Sequence, residues 1–238
     1  MAHEGKRIVA ARARVEEGRV YDPAAAMALV KEAATAKFDE TVELHLRTGL
    51  DGRHADQQIR GSVVLPHGLG KVMKVVVFAE GEAASLALQA GADEVGGDEL
   101  IDRVAAGYTS FDVALAQRDL MGKVGRLGRV LGPRGLMPNP RSGTVVETVD
   151  MARAVREAKA GRVEFRLDRT NLVHVPIGKV SFTGDVLLDN LTALIGEIVK
   201  AKPSAAKGQY IRGATLTSTM GPGIPVEVAT MMALATEA

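Results

Sequence analysis

Hydrophobic and polar positions change their period several times along the chain, and those changes divide it. Residues 1–40 place Ile8, Val9 and Val15 in an Ala- and Arg-rich segment that also carries Glu4, Lys6, Arg7, Glu16 and Glu17. A second apolar stretch at 24–36 follows Asp22-Pro23. This spacing predicts two helices, the second opened by Asp22 as N-cap and Pro23 as first helical residue. From 41 to 47 the period drops to two: Val42, Leu44 and Leu46 alternate with Thr41, Glu43, His45 and Arg47, the pattern of a half-buried strand. A second strand, 59–65, runs to the break Pro66-His67-Gly68.

Beyond that break, β-rich runs alternate with helical patterns: 72–78, 82–90, 92–95, 98–106, 111–116 and 119–131. Strictly alternating β and α segments predict a small parallel sheet covered by helices, because parallel strands need crossover connections. A Gly/Pro-rich run at 132–143 closes this region, followed by a short strand at 144–146 and a helix at 149–159. Two-residue alternation then returns in Val163, Phe165 and Leu167 against Glu164, Arg166 and Asp168. Residues 168–171 read as a hairpin turn into a strand at 172–177. A helix at 185–200 shows Val186, Leu187, Leu191, Leu194, Ile195 and Ile198 at helical spacing, and a last strand at 210–219 ends in Met220-Gly221-Pro222-Gly223. The expected architecture combines α/β and α+β. A discontinuous α+β sandwich domain, 1–66 and 160–238, carries an inserted three-layer, Rossmann-like α/β domain at 67–159.

Composition removes whole classes of function. The absence of Cys excludes disulfides, Cys-ligated zinc, iron–sulfur clusters and thiol catalysis. No apolar run approaches the ~18 residues of a membrane span. The opening segment lacks the apolar core of a secretion signal, so the expected location is the cytoplasm. The five histidines (3, 45, 54, 67 and 174) show no metal-ligand spacing, and no Gly-x-Ser-x-Gly elbow is present. Gly68-Leu69-Gly70-Lys71 lacks the spacing of a phosphate loop, and Phe78-Ala79-Glu80-Gly81-Glu82 puts acids where a dinucleotide fold needs glycines. The acids Asp93, Glu94, Asp98, Glu99 and Asp102 are explained by helix starts, with Asp98 after Gly96-Gly97 as an N-cap. No enzyme constellation, metal or cofactor is expected. A small-molecule site at the carboxyl ends of the parallel strands is the alternative, and no fingerprint supports it.

Net charge is only +1, but it is unevenly spread. Residues 71–117 hold eight acids against three bases, whereas 118–141 hold six bases against Asp119 alone. In the run from Arg126 to Arg141, glycines and prolines fix the backbone while guanidiniums project from it, which suits phosphate contact at Arg126, Arg129, Arg134 and Arg141. Aromatic content of 3% without Trp argues against a platform for stacking single-stranded bases.

Gly-Pro-Arg-Gly-Leu-Met-Pro-Asn-Pro at 132–140 resembles the signature of the L-one family of large-subunit ribosomal proteins, found on the ribosome's mobile side stalk. Further segments resemble that family in the same order: Ala36-Lys37-Phe38-Asp39-Glu40-Thr41-Val42, Ile59-Arg60-Gly61, Leu65-Pro66-His67-Gly68, Ala158-Lys159-Ala160-Gly161, Ile177-Gly178-Lys179-Val180 and Ser218-Thr219-Met220-Gly221-Pro222. Two departures keep charge but change geometry: Arg166-Leu167-Asp168-Arg169 ends in Arg where the family usually has Lys, and Arg141 stands in place of Lys.

The resemblance implies a non-enzymatic protein, monomeric within the ribosome and with no membrane partner. Its terminal-segment domain binds structured large-subunit ribosomal RNA, and its hinged middle domain accompanies contact with exit-site tRNA and release of deacylated tRNA. It also implies translational repression through the protein's own mRNA. Residue pattern alone points to the polar faces Thr41, Glu43, His45, Arg47, then Arg166, Asp168, then Thr215, Thr217, Thr219, whose hydroxyls and carboxylates can read folded RNA by shape. Phe38 and Met220 share parity with core residues, and the resemblance moves both to the RNA surface. The expected RNA-binding set is Lys37, Phe38, Thr41, Glu43, His45, Arg53, Arg166, Asp168, Arg169, Thr217, Thr219, Met220 and Gly221.

Overall fold

The computed structural model describes residues 5–237, so His3 and Glu4 of the opening pattern lie outside the described residues. The fold is mixed α/β, with antiparallel and parallel sheets in two compact units, Met1–Gly70 with Val163–Ala238, and Lys71–Arg162.

The terminal-segment unit contains α1 (Lys6–Arg12), α2 (Pro23–Ala33), β1 (Thr41–Thr48) and β2 (Arg60–Val64). The chain returns to it with β7 (Arg162–Arg166), β8 (Leu172–Lys179), α8 (Gly184–Lys200), β9 (Ile211–Ser218), β10 (Ile224–Val226) and α9 (Val228–Glu237). Asp22 caps α2 by accepting from the Ala24 amide, and Pro23 occupies its first turn. Four strands form an antiparallel sheet in the order β10-β9-β1-β8, and β2 pairs separately with β7. Along β1, Val42, Leu44 and Leu46 are fully buried against the stripe Leu187, Leu191, Leu194, Ile195 and Ile198 of α8 and against Met27 and Val30 of α2. The opposite parity therefore faces outward.

A bulge at Val42/Glu43 leaves one extra residue on β8, and both Ile177 and Gly178 turn inward there. Asn190 sits on the apolar stripe of α8 and is completely buried, yet fully used. Its amide nitrogen donates to the Ile177 and Gly68 carbonyls at 2.8 and 3.0 Å, and its oxygen accepts from the His67 amide at 3.1 Å. The Pro66-His67-Gly68 turn is thus tied to the helix.

In the other unit, β3 (Val75–Phe78), β4 (Glu94–Gly96), β5 (Val113–Gln117) and β6 (Val145–Val146) form a parallel sheet in the order β4-β3-β5-β6. Every residue of β3 is buried, as expected of a strand covered on both faces. Val75 and Val77 pack with Ala83 and Ala87 of α3 (Gly81–Gln89) and Val155 of α7 (Met151–Lys159). Val76 and Phe78 pack on the other side with Ile101 and Val104 of α4 (Asp98–Ala105) and with Leu127 and Leu131. The result is three layers.

Four local expectations need correction. Gly97, not Asp98, is the N-cap of α4, and no side chain caps it. Asp98 instead pairs with Lys123 at 2.8 Å. The helix expected at 119–131 is a succession of short right-handed turns, including α5 (Met121–Val124) and α6 (Gly128–Leu131), because Gly122, Gly125 and Gly128 weaken regular helix propagation. The strand expected from 72 begins at Val75, with Val72 left exposed, and Val149 precedes α7 in a 3-10 turn. Strand β10 and helix α9 complete the terminal-segment unit beyond the last element expected from the sequence.

Candidate nucleic-acid interface

The outward face of the four-stranded sheet is built in cross-strand rows centred on β1. Thr41 lies opposite Lys179 of β8, Glu43 between Pro176 and Thr217, His45 between His174 and Thr215, and Arg47 between Leu172 and Gly213. The sheet register brings Thr41, Glu43, His45 and Thr217 onto one surface, and neighbouring segments extend it at both ends.

At the Thr41 end, the Lys179 ammonium donates to the Thr41 hydroxyl at 2.8 Å, and the Thr41 amide donates to the Thr219 hydroxyl at 2.9 Å. Beside them Phe38 is 57% exposed and Met220 48% exposed, so neither belongs to the core that parity alone would assign. Lys37 is also exposed. The Thr217 hydroxyl lies 3.0–3.3 Å from the carbonyl oxygens of Ser218, Gly221 and Pro222 and closes the turn that presents Met220. A Cβ at Gly221 would come within 2.4 Å of the Ser218 hydroxyl, so a side chain there would displace the bond that hydroxyl makes to Glu40.

Beneath this end lies Glu40, which is 1% exposed. Its Oε1 accepts from the Ala36 amide at 2.8 Å, and its Oε2 accepts from the Ser218 hydroxyl at 2.7 Å and the Met220 amide at 2.8 Å. Burial favours the neutral acid, but these hydrogen bonds and one from the Thr35 backbone outweigh it and hold the carboxyl below its ordinary range. A buried carboxylate thus joins the segment bearing Lys37 and Phe38 to the turn bearing Met220 and Gly221. Sequence reasoning passed over Glu40, although a signal was present: it shares parity with Val42, Leu44 and Leu46, as Ser218 does with Leu216, and a carboxylate on a core-facing position must find donors.

At the other end, Asp168 organises the hairpin turn by accepting from the Thr170 amide, the Thr170 hydroxyl and the Leu172 amide. Against the opposing effect of burial, those bonds and nearby His174 lower its pKa. Asn171 adopts a positive φ of 66°, which Asn tolerates, and its side chain accepts from the Gly52 amide at 2.8 Å. This contact places the loop of Arg53 next to the turn of Asp168 and Arg169. Arg53, Arg166 and Arg169 are all exposed.

Midway stands a pair that includes a residue outside the expected set. His45 and His174 face each other with Nδ1 atoms 2.7 Å apart and rings in an edge-on arrangement. The alternation of β8 marks His174 as outward-facing, but only strand register reveals its partner.

Arg126, Arg129, Arg134 and Arg141 lie in the other unit and are exposed. Arg134 donates to the Thr109 hydroxyl, and Arg126 reaches the Lys123 carbonyl at 3.4 Å. Much of the surrounding 132–140 run is structural. Leu136 and Met137 pack against the cluster containing Phe78 and Leu131, Pro138 is buried, and Asn139 caps the turn Pro140–Ser142 by accepting from the Arg141 amide. Gly135 has a φ of +72°, which explains Gly at that bend. Among the described residues no group of three or more His, Asp or Glu side chains could hold a metal ion, and no helix is long and apolar enough to cross a membrane.

A nested pair of α/β units with a polar sheet face defines a class of fold, and sequence similarity resolves it: the chain belongs to the Ribosomal protein L1p/L10e family, whose model matches residues 30–222. It is 60% identical to the large ribosomal subunit protein uL1 of Chloroflexus aggregans, across 96% of this chain and 97% of that protein. The uL1 protein of Chloroflexus aurantiacus is 59% identical across 95% of this chain and 96% of its own length. That of Dehalococcoides mccartyi is 52% identical across 98% and 99%. The chain is accordingly a structural ribosomal protein and not an enzyme.

Proposed function

We propose that the outward face of β10-β9-β1-β8 binds structured large-subunit ribosomal RNA at the mobile stalk near the tRNA exit site. The observation that carries this reading is the outward row Thr41, Glu43, His45 and Arg47 of β1 with Thr217, Thr215 and His174 beside it, bounded at one end by exposed Phe38 and Met220 and at the other by Arg53 and Arg169. Hydroxyls, imidazoles and carboxylates there can meet 2′-hydroxyls and base edges, while the two apolar side chains pack on riboses or bases. A net charge of +1 fits recognition by shape with few phosphate contacts.

On this reading residues 1–70 with 163–238 hold the ribosomal RNA. Residues 71–162 project Arg126, Arg129, Arg134 and Arg141 toward exit-site tRNA and help release deacylated tRNA. The same face binds the protein's own mRNA and represses its translation when that mRNA presents a similar fold. The protein acts as a monomer within the cytoplasmic ribosome.

The test is a salt-dependent titration of the intact chain against structured ribosomal RNA fragments, repeated with a Phe38→Ala, Met220→Ala double variant. Affinity should fall in the variant while the salt slope stays nearly constant. Wild-type affinity in a variant with an unchanged melting curve would refute this face as the site.

A further inference from the structure

The histidine pair stands at the middle of the proposed face, and its geometry restricts its protonation. Two imidazole nitrogens 2.7 Å apart cannot both present lone pairs, so one proton lies between the Nδ1 atoms of His45 and His174. In the neutral pair, one outward Nε2 carries a hydrogen and the other does not. One further proton gives a charge-assisted N–H···N bond with a hydrogen on each Nε2. A second would set two N–H groups against each other across that short gap. The pair is therefore built to accept one proton.

Its surroundings are balanced. From β1, the Glu43 carboxylate lies 3.8 Å from His45 Nε2, and Arg47 is two residues further along the same face. From the β7–β8 turn, the Asp168 carboxylate lies 3.7 Å from His174 Nε2, with Arg169 beside it in sequence. Both carboxylate distances exceed a hydrogen bond. The β9 residues alongside, Gly213, Thr215 and Thr217, do not titrate, and β8 contributes only Lys179 at its far end, tied to Thr41. Beneath the pair lie Leu44, Leu46, Val173 and Val175, all buried and apolar. Partial burial first, then the charge of His174, lowers the pKa of His45, with Glu43 acting in the opposite sense. Burial over this apolar floor thus disfavours the charged form of His45 in the free protein, and an approaching row of phosphates is what favours a cation shared across the Nδ1–Nδ1 contact.

We propose that the His45–His174 pair takes up one proton from solvent when this face binds structured RNA, so that binding tightens as pH falls through the neutral range. The proposal rests on the RNA-binding role above and adds His174 to the contact set as a proton-sharing partner of His45. Linkage fixes the size of the effect: full uptake of one proton changes affinity by about tenfold per pH unit, and partial uptake by less.

The experiment titrates structured ribosomal RNA fragments with the intact protein from pH 6 to 8 at constant ionic strength. Wild type is compared with His45→Gln, His174→Gln and the double variant, and binding heats are measured in buffers of different ionisation enthalpy. The wild type should bind about three- to tenfold more tightly at pH 6 than at pH 7.5 and take up a fraction of a proton that the double variant loses. Imidazole proton shifts in the wild type, free and bound, give a second readout if a variant folds poorly: the pair's titration midpoint should rise on binding. Equal pH slopes in wild type and double variant, or an unmoved midpoint, overturn the coupling. The Phe38→Ala, Met220→Ala variant separates the two ideas. Weakened binding there, together with equal pH slopes in wild type and the His45→Gln, His174→Gln double variant, overturns only the proton uptake, whereas unweakened binding, or no binding by the wild type, overturns the RNA face and the coupling together.

Discussion

Replacing Glu40 by Gln tests whether the outward face is shaped from below. Glu40 is 1% exposed, and its two oxygens take three donors, one on Oε1 and two on Oε2. Gln preserves the shape but offers one oxygen. With that oxygen toward Met220, the new amide group meets the Ala36 N–H; with it toward Ala36, the amide meets the Met220 N–H. Either way a charge-assisted bond worth about 1.5–3 kcal/mol gives way to two donors facing each other. The expected loss is about 2–3 kcal/mol, which for a unit of this size lowers the melting midpoint by roughly 4–12 °C. If the bound RNA must restore the arrangement of 35–40 against 218–221, affinity falls by about tenfold or more.

Acid titration supplies the sign. Because the folded pKa of Glu40 is lowered, its contribution is complete above the unfolded-state value of about 4.3 and is lost as pH falls through the lower folded value. Melting midpoints of wild type and Glu40→Gln should therefore differ at pH 7 and converge as the pH drops below about 4. The assays are thermal unfolding from pH 3 to 7 and RNA titration at pH 7. A Gln variant that melts and binds like wild type at pH 7 would refute the role of Glu40 as the tie between the two segments.

Three other outcomes follow from named contacts. Met220→Ala should leave the melting midpoint unchanged, because Met220 is half exposed, but weaken RNA binding; Thr217→Ala should both lower the midpoint, costing about 1 kcal/mol of stability by freeing the 218–222 turn, and weaken binding, as read by melting and titration. Arg166→Ala or Arg169→Ala should lower the slope of log affinity against log salt by about one for each phosphate no longer neutralised, so an unchanged slope would remove these arginines from the interface. Residues 1–70 joined by a short linker to 163–238 should unfold cooperatively and keep most RNA affinity, since β1, β8, β9 and β10 and the core beneath them all lie in those segments. Calorimetry on that chain decides the matter, and a broad non-cooperative transition would count against it.

Two-residue alternation made β1, β7, β8 and β9 legible because each has one face on a core and one outward, so burial imposes the period directly. Strand β10 escaped detection for a physical reason: three residues with Pro225 between Ile224 and Val226 give too short a period to read, and their place is set by pairing with β9. Helix α9 is an Ala- and Met-rich run whose Met231 and Met232 pack on the common core, so its place is set by tertiary packing. The candidate face was partly visible for the same reasons. Parity identified Thr41, Glu43, His45 and Thr217 as outward, but which side chains stand opposite one another depends on register across strands far apart in sequence. Hence the contact of His45 with His174, 129 positions away, emerges only from the fold.

The signature run at 132–140 and the proposed RNA face divide the labour of this chain differently from what their visibility suggests. In the run, Leu136, Met137, Pro138 and Asn139 serve the inserted unit's own packing and turn geometry, while Arg134 and, just beyond the run, Arg141 stay exposed. On the sheet face the balance is reversed: Phe38 and Met220 gain little from the fold they sit on, being about half exposed, while a buried carboxylate and a threonine hydroxyl hold them in place. Exposed apolar side chains held by buried polar ones invert the usual arrangement of a soluble surface, and such an inversion has a physical rationale when the missing apolar contact is supplied by a partner. The residues that make the family recognisable are thus largely those that build a loop, and the residues that best fit an RNA surface are recognisable by how the fold supports them.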